Sequence, residues 1–119
     1  MAFKLIQDEA EETTLGYLPE STAMDEIVGS LSGTTPTLDP DDPAVGTITT
    51  WTLTGNSTPV DGLTNGQSMT LMIDDGSGYT ITWPTITWDV AGGTQPALKT
   101  SGYTTVVLWK VGTTLYGRY

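Results

Sequence analysis

Tyr79-Thr80-Ile81-Thr82-Trp83-Pro84-Thr85-Ile86-Thr87-Trp88 is the stretch on which the fold class turns. Thr80 and Thr82 alternate with Tyr79, Ile81 and Trp83, the period-two pattern of a strand with one dry face and one wet face. Pro84 has no N–H to give a central ladder, so the second Ile-Thr-Trp unit, at 86–88, must start a new strand, lie on an edge or follow a bulge. In an unbroken strand the five-residue offset sends Trp83 and Trp88 to opposite faces, whereas a one-residue bulge at Pro84 brings both indoles to one side. The expectation is a kink at Pro84, with the paired indoles filling much of the core of a small β domain.

Strand signals continue on both sides of this stretch. Gly46 to Thr54 reads as a first strand carrying Ile48, Trp51 and Leu53, its broken alternation suggesting a bulge near Thr49 and Thr50. Asn65-Gly66 is a turn signal, and Ser68 to Ile73 then alternates Met69, Leu71 and Ile73 against Thr70 and Met72. Asp74-Asp75-Gly76-Ser77-Gly78 is the next turn, leading into Tyr79 to Trp83. After Trp88 the loop Asp89 to Thr100 contains Gly92-Gly93 and Pro96. Tyr103 to Val111 is apolar on both faces, with Val107, Trp109 and Val111 on one and Val106 and Leu108 on the other, and is expected to be central. Gly112-Thr113 turns it into a closing strand, Thr114 to Tyr119. Six to eight short strands with turns between them predict an all-β, antiparallel sandwich or barrel over residues 46–119.

The segment before that domain is of another kind. Residues 1–20 read as an acidic arm in which Phe3, Leu5 and Ile6 precede the run Asp8 to Glu12, and Leu15, Tyr17 and Leu18 follow it. Such a segment can hardly bury itself alone. A short helix is expected next: Ser21 or Thr22 can cap it, Ala23, Met24, Ile27, Val28 and Leu31 recur at helical spacing, and Gly29 and Gly33 are candidate stops. Arm and helix together make a first region of residues 1–32. Residues 33–45, with Pro36, Pro40 and Pro43, read as a Pro/Asp-rich linker, because proline removes donors and biases its neighbours to extended geometry.

Composition narrows the function. The chain of 119 residues has no cysteine and no histidine, which removes disulfides, thiolate nucleophiles, His-assisted serine chemistry, the usual zinc sites and the ordinary proton shuttle near neutral pH. A conventional enzyme and a bound cofactor are therefore not expected. Threonine supplies eighteen of the 77 residues from Pro43 onward, a β-branched residue suited to a pleated, half-wet surface. Of the formal charge of −10, residues 1–42 hold −9. With no basic cluster, the chain is expected neither to bind nucleic acid nor, lacking a long apolar run, to enter a membrane or a secretory route; it reads as made and kept soluble in the cytoplasm.

Three pieces of candidate chemistry follow. Asp74 and Asp75 are the best carboxylate pair, although adjacent aspartates before Gly-Ser-Gly are also what a turn wants. Asp39, Asp41 and Asp42 do not have the spacing of an EF-hand loop, so no metal is expected. Tyr79, Tyr103, Tyr116, Tyr119 and the tryptophans suit a sugar-stacking surface, with most of those rings expected in the core and Tyr116 and Tyr119 the more open candidates.

Residues 62–119 resemble a β module that recurs in structural proteins of tailed bacteriophages, in fibre tips and small virion-surface proteins. The resemblance rests on Asn65-Gly66-Gln67-Ser68-Met69-Thr70-Leu71, Tyr79-Thr80-Ile81-Thr82-Trp83-Pro84, Trp88, Gly92-Gly93, Pro96, Gly102-Tyr103-Thr104 and Val111-Gly112-Thr113-Thr114-Leu115-Tyr116-Gly117. It implies a non-enzymatic virion component, often a homotrimer, that binds the particle or the host surface. The sequence carries no heptad run and no glycine-repeat stalk before the β domain, which favours a capsid decoration or cement protein over a tail fibre. On that reading Phe3, Leu5, Ile6, Leu15, Tyr17, Leu18, Met24 and Ile27 are the assembly-interface candidates, the major capsid protein or another virion protein is the partner, and the capsid exterior is the location. The alternative is a tail-fibre or receptor-binding module that recognises host-surface glycan through loops such as Asp89 to Thr100. A glycan-cleaving enzyme built on Asp74 or Asp75 is disfavoured by composition.

Overall fold

The computed structural model describes residues 26–74 and 78–119. Eight strands appear among them: β1 (Val28–Leu31), β2 (Thr37–Leu38), β3 (Ile48–Thr52), β4 (Val60–Asp61), β5 (Ser68–Asp74), β6 (Thr87–Trp88), β7 (Thr104–Val111) and β8 (Thr114–Arg118). The one helical element among the described residues is a 3-10 turn at Ala91–Gly93. Six strands form one sheet in the order β1-β3-β5-β7-β8-β6, and β2 pairs with β4 in a second, two-stranded sheet.

The first half of the chain is a stack of parallel coils. β1 pairs with β3 and β3 with β5, both parallel, in a register that sets Val28 against Ile48 and Ile48 against Thr70. Parallel neighbours cannot be joined by a tight turn and need a crossover connection. Here the crossover is a second wall of extended chain, itself stacked in parallel. Thr58, Val60 and Gly62 donate their N–H groups to the carbonyls of Thr34, Pro36 and Leu38, at 2.7, 2.9 and 3.0 Å. On the far side Ser57 bridges Ile81 in parallel, donating to Thr80 O at 2.9 Å and accepting from Thr82 N at 2.8 Å. Each pass of the chain thus adds one strand to the main sheet and one short rung to the second wall, with the core trapped between them.

Local chemistry makes the corners. Asp39, Asp42 and Asp61 each accept, through a carboxylate oxygen, the N–H two residues on, at 3.0 Å, which closes side-chain turns where the chain leaves the second wall. Gly29 lies where the return segment crosses β1, and an added Cβ would overlap the carbonyl oxygens of Ala44 and Val45. Gly62 is pressed in the same way: its Cβ would lie 2.7 Å from Thr37 Cγ2 and 2.9 Å from Leu38 O. Trp51 is fully buried, and its indole N–H donates to Gly33 O at 3.2 Å, tying the main sheet to the corner of the coil before it.

The second half closes the stack. β7 pairs antiparallel with β5 and β8 antiparallel with β7 through the tight turn at Gly112-Thr113, and β6 adds in parallel to β8. Leu38, Trp51, Leu53, Met69, Leu71, Ile73, Val106, Leu108 and Leu115 form the buried centre, with Tyr79, Trp83, Ile86, Trp88 and Leu98 packed against it. The partly buried pair Lys110 Nζ and Asp61 Oδ2, 2.6 Å apart, links β7 to β4.

Several expectations are corrected by this arrangement. The fold is strand-rich as expected, but three of the five pairings in the main sheet are parallel, and the sheet ends at β1 and β6 without closing into a barrel. The expected helix fails within the described residues, because Val28–Leu31 is a strand whose ladder with β3 overrides helical spacing. Residues 33–45, read as a linker, supply β2 and the fully buried Leu38. No bulge interrupts β3, since its register with β1 and β5 runs unbroken and puts Thr49 and Trp51 inward and Ile48 outward. Tyr79 to Trp83 makes only the single bridge at Ile81, as a short rung requires. The indoles of Trp83 and Trp88 do meet, edge to face at 5.3 Å, but at the margin of the core, and the ring at its centre is Trp51.

Thr49 and Gly62 test the packing in opposite directions. Thr49 is fully buried between the strands and its hydroxyl has no hydrogen-bond partner. Thr49→Val should therefore stabilise the fold by about 1 kcal/mol in a denaturant titration, because it removes an unsatisfied buried polar group. Gly62→Ala should destabilise it by roughly 1–3 kcal/mol, since the added methyl would meet both the short, β-branched Thr37 side chain and the Leu38 carbonyl, neither of which can easily give way.

Candidate functional site

Two surfaces stand out among the described residues. The first is a cleft of about 230 Å³ between the rung at Tyr79–Trp83 and the segment Gln95–Leu98. The half-buried rings of Tyr79 and Trp83, with Ile81, Pro96 and Leu98, give it apolar walls, and Thr80 and the Gln95 amide give it polar groups.

The walls of the cleft are held from outside it. Thr80 N donates to Asn56 Oδ1 at 3.0 Å, fixing the rung to the previous coil. On the other wall the last residue does the holding: Tyr119 OH donates to Thr94 O at 2.7 Å. Asp89 N donates to Gly117 O at 2.7 Å, Arg118 Nη1 donates to Asp89 O at 2.8 Å, and Lys99 N donates to Thr104 Oγ1 at 2.7 Å. Trp88 lies between the two walls, edge to face with Trp83 at 5.3 Å and with Tyr119 at 5.9 Å. The ring of Trp88 fits because residue 117 is glycine, where a Cβ would come within 2.6 Å of it.

The second surface is the outer face of the main sheet. Register places Val28, Ile48, Thr70, Val107 and Arg118 in one row across five strands. Ser30, Thr50, Met72 and Thr105 form the next row, and Ser68, Trp109, Tyr116 and Thr87 a third. Val28 is 69% exposed, Val111 59% and Val107 40%, although their neighbours Val106 and Leu108 on the opposite face are fully buried. β7 is therefore apolar on both faces, as its sequence indicates, while only one of those faces is covered within the described chain. Tyr116 stacks nearly parallel on Trp109, ring centres 5.8 Å apart.

The residues singled out in the sequence fall unevenly on these surfaces. Of the assembly candidates, Ile27 alone is among the described residues; it is 44% exposed just before β1, and its carbonyl accepts the N–H groups of Thr47 and Ile48. Phe3, Leu5, Ile6, Leu15, Tyr17, Leu18 and Met24 lie outside the described residues, as does Asp75 of the carboxylate pair. Asp74 ends β5, where its carbonyl accepts Leu53 N at 3.2 Å. Tyr116 belongs to the sheet face and Tyr119 to the tether of the loop, so neither lines the cleft; Tyr79 and Trp83 do. Asp39 and Asp42 shape turns, and no group of three acidic or other metal-ligating side chains occurs among the described residues. No described helix is long and apolar enough to cross a membrane.

Compared with family models, with curated proteins and with solved structures, the chain matches none.

Gly117→Ala is the sharpest probe of the cleft's support. The added methyl should displace the Trp88 ring, lower stability by about 1–3 kcal/mol and alter the tryptophan emission and near-ultraviolet circular dichroism. An unchanged spectrum would show that Trp88 does not pack on Gly117.

Proposed function

We propose that this chain is a non-enzymatic structural protein of a tailed-bacteriophage virion, a decoration or cement protein seated on the outside of the capsid shell, acting there as a homo-oligomer, a trimer if it follows the module it resembles. The observation that carries this reading is the open, nearly uncharged sheet face on a protein whose formal charge is −10. Exposed apolar side chains set among threonine and serine on an open sheet face suit a contact surface. The division of labour in the sequence supports the same reading. Nine of the ten net negative charges fall in residues 1–42, together with Phe3, Leu5, Ile6, Leu15, Tyr17, Leu18, Met24 and Ile27, which suit anchoring to a capsid subunit with a basic, partly apolar surface. The stacked coils then serve as the outward body.

The cleft favours a second reading, a receptor-binding module for host glycan. Its two half-buried rings and its amide and hydroxyl groups are what a neutral sugar needs, apolar faces to stack on and a few polar groups to orient it. Its contacts would be Tyr79, Trp83 and Gln95 rather than Tyr116 and Tyr119.

Particle binding separates the two. The full-length variant Phe3→Ser, Leu5→Ser, Ile6→Ser should keep the wild-type circular dichroism and lose co-sedimentation with capsids of the phage that encodes it; undiminished binding would refute the anchoring role. Copy number in purified particles should track that of the capsid subunit, whereas a handful of copies would place the protein on the tail. On a glycan array the wild type should give no signal, and a signal abolished by Trp83→Ala would favour the receptor-binding reading instead.

A further inference from the structure

We infer that the outer face of the main sheet is where a second copy of this chain binds, an assignment that rests on the reading of the protein as an assembly component and names its self-association surface. The face is built from Val28, Ile48, Val107, Trp109, Val111 and Tyr116, set in rows by the strand register and spaced with threonine and serine. The inner side chains of the same strands are buried, which fixes the backbone under the outer ones, and the β-branched Val28, Ile48, Val107 and Val111 have little χ1 freedom to lose on contact.

Charge selects the occupant. Two copies that each carry −10 repel one another chiefly through residues 1–42, which hold −9 of that charge. Among the described residues at outward positions of the sheet, the charged side chains are Asp74 at the end of β5 and Arg118 on β8, one of each sign. A basic partner gains nothing from this face and is drawn to the acidic segment instead. A copy of the same chain finds here a broad surface on which, among the described residues, it meets no net charge, with β-branched and aromatic side chains that can interdigitate at the roughly 10 Å spacing of packed sheets.

Size agrees with this assignment. Six strands about 4.8 Å apart and about five residues long offer roughly 500 Å² in plan. Side-chain relief raises that towards the approximately 800 Å² that each partner contributes to a standard stable interface. Pairing also covers Val28 on β1 and Val107 and Val111 on β7, which water otherwise meets.

Sedimentation equilibrium of the purified full-length chain at micromolar concentration, with no particles present, tests the inference. The expected mass is a dimer or trimer of the 12.6 kDa chain. Val28→Lys with Val107→Lys, three strands apart in one row, should weaken association at least tenfold while leaving the circular dichroism and thermal midpoint close to wild type. Val60→Lys, an exposed site on the second wall, should leave association unchanged. A monomeric wild type would overturn the inference, whatever else covers the face, and so would a Val28→Lys, Val107→Lys protein that folds and associates as the wild type does. A monomeric wild type would also remove the homo-oligomer from the proposed function, whereas capsid anchoring through Phe3, Leu5 and Ile6 is read separately, by co-sedimentation with particles.

Discussion

Parallel stacking of successive coils is the constraint from which the rest of the structure follows. A strand added in parallel has to travel back to its starting end, and this chain does so without a helix, through a second wall only a few residues long. The two walls must then approach closely, which explains the backbone-to-backbone contacts at Gly29 and Gly62 and the side-chain turns of Asp39, Asp42 and Asp61. Trp51 fills the space between the walls, and its bond to Gly33 O connects one coil to the one before it. The antiparallel hairpin β7–β8 ends the stack by covering the free side of β5.

This construction is one-sided. The inner faces of β3, β5 and β7 meet the second wall and the loops after β5, while the outer faces meet nothing among the described residues. In a protein of this size the core is modest, and leaving Val28, Val107 and Val111 wet forgoes stabilisation that the proposed association would restore. The functional reading and the self-association surface both grow from that imbalance. The cleft arises differently, from the excursion of the chain between the last rung and β7, where Tyr119 and Trp88 fasten a long loop against the stack.

Local features were legible in the sequence and pairing partners were not. Alternation at Met69, Leu71 and Ile73 gave the buried face of β5, and Asn65-Gly66 and Gly112-Thr113 gave real turns with positive φ at both glycines. Period-two alternation is blind to which strand lies alongside, so short strands with turns between them suggested hairpins where the chain instead coils. One signal did carry the answer: Thr35-Pro36-Thr37 and Thr58-Pro59-Val60 repeat at the spacing at which Thr37 pairs with Val60. Val28 and Leu31 suited a helix by spacing, yet the ladder with β3 puts one outward and the other in the core. The cleft was hidden because Tyr79 and Trp83 meet Gln95 and Leu98 only through tertiary packing, and the tyrosines nearest the end of the sequence turned out to serve the sheet face and the loop tether.

Backbone nuclear Overhauser contacts measure the stacking directly. Parallel pairing predicts cross-strand contacts that link Ser30 to Thr50 and Thr50 to Met72 in the pattern of parallel neighbours, rising together along β1, β3 and β5. Close Hα–Hα contacts between β1 and β3 or between β3 and β5, the mark of antiparallel pairs, would contradict the coiled architecture and the open face that depends on it.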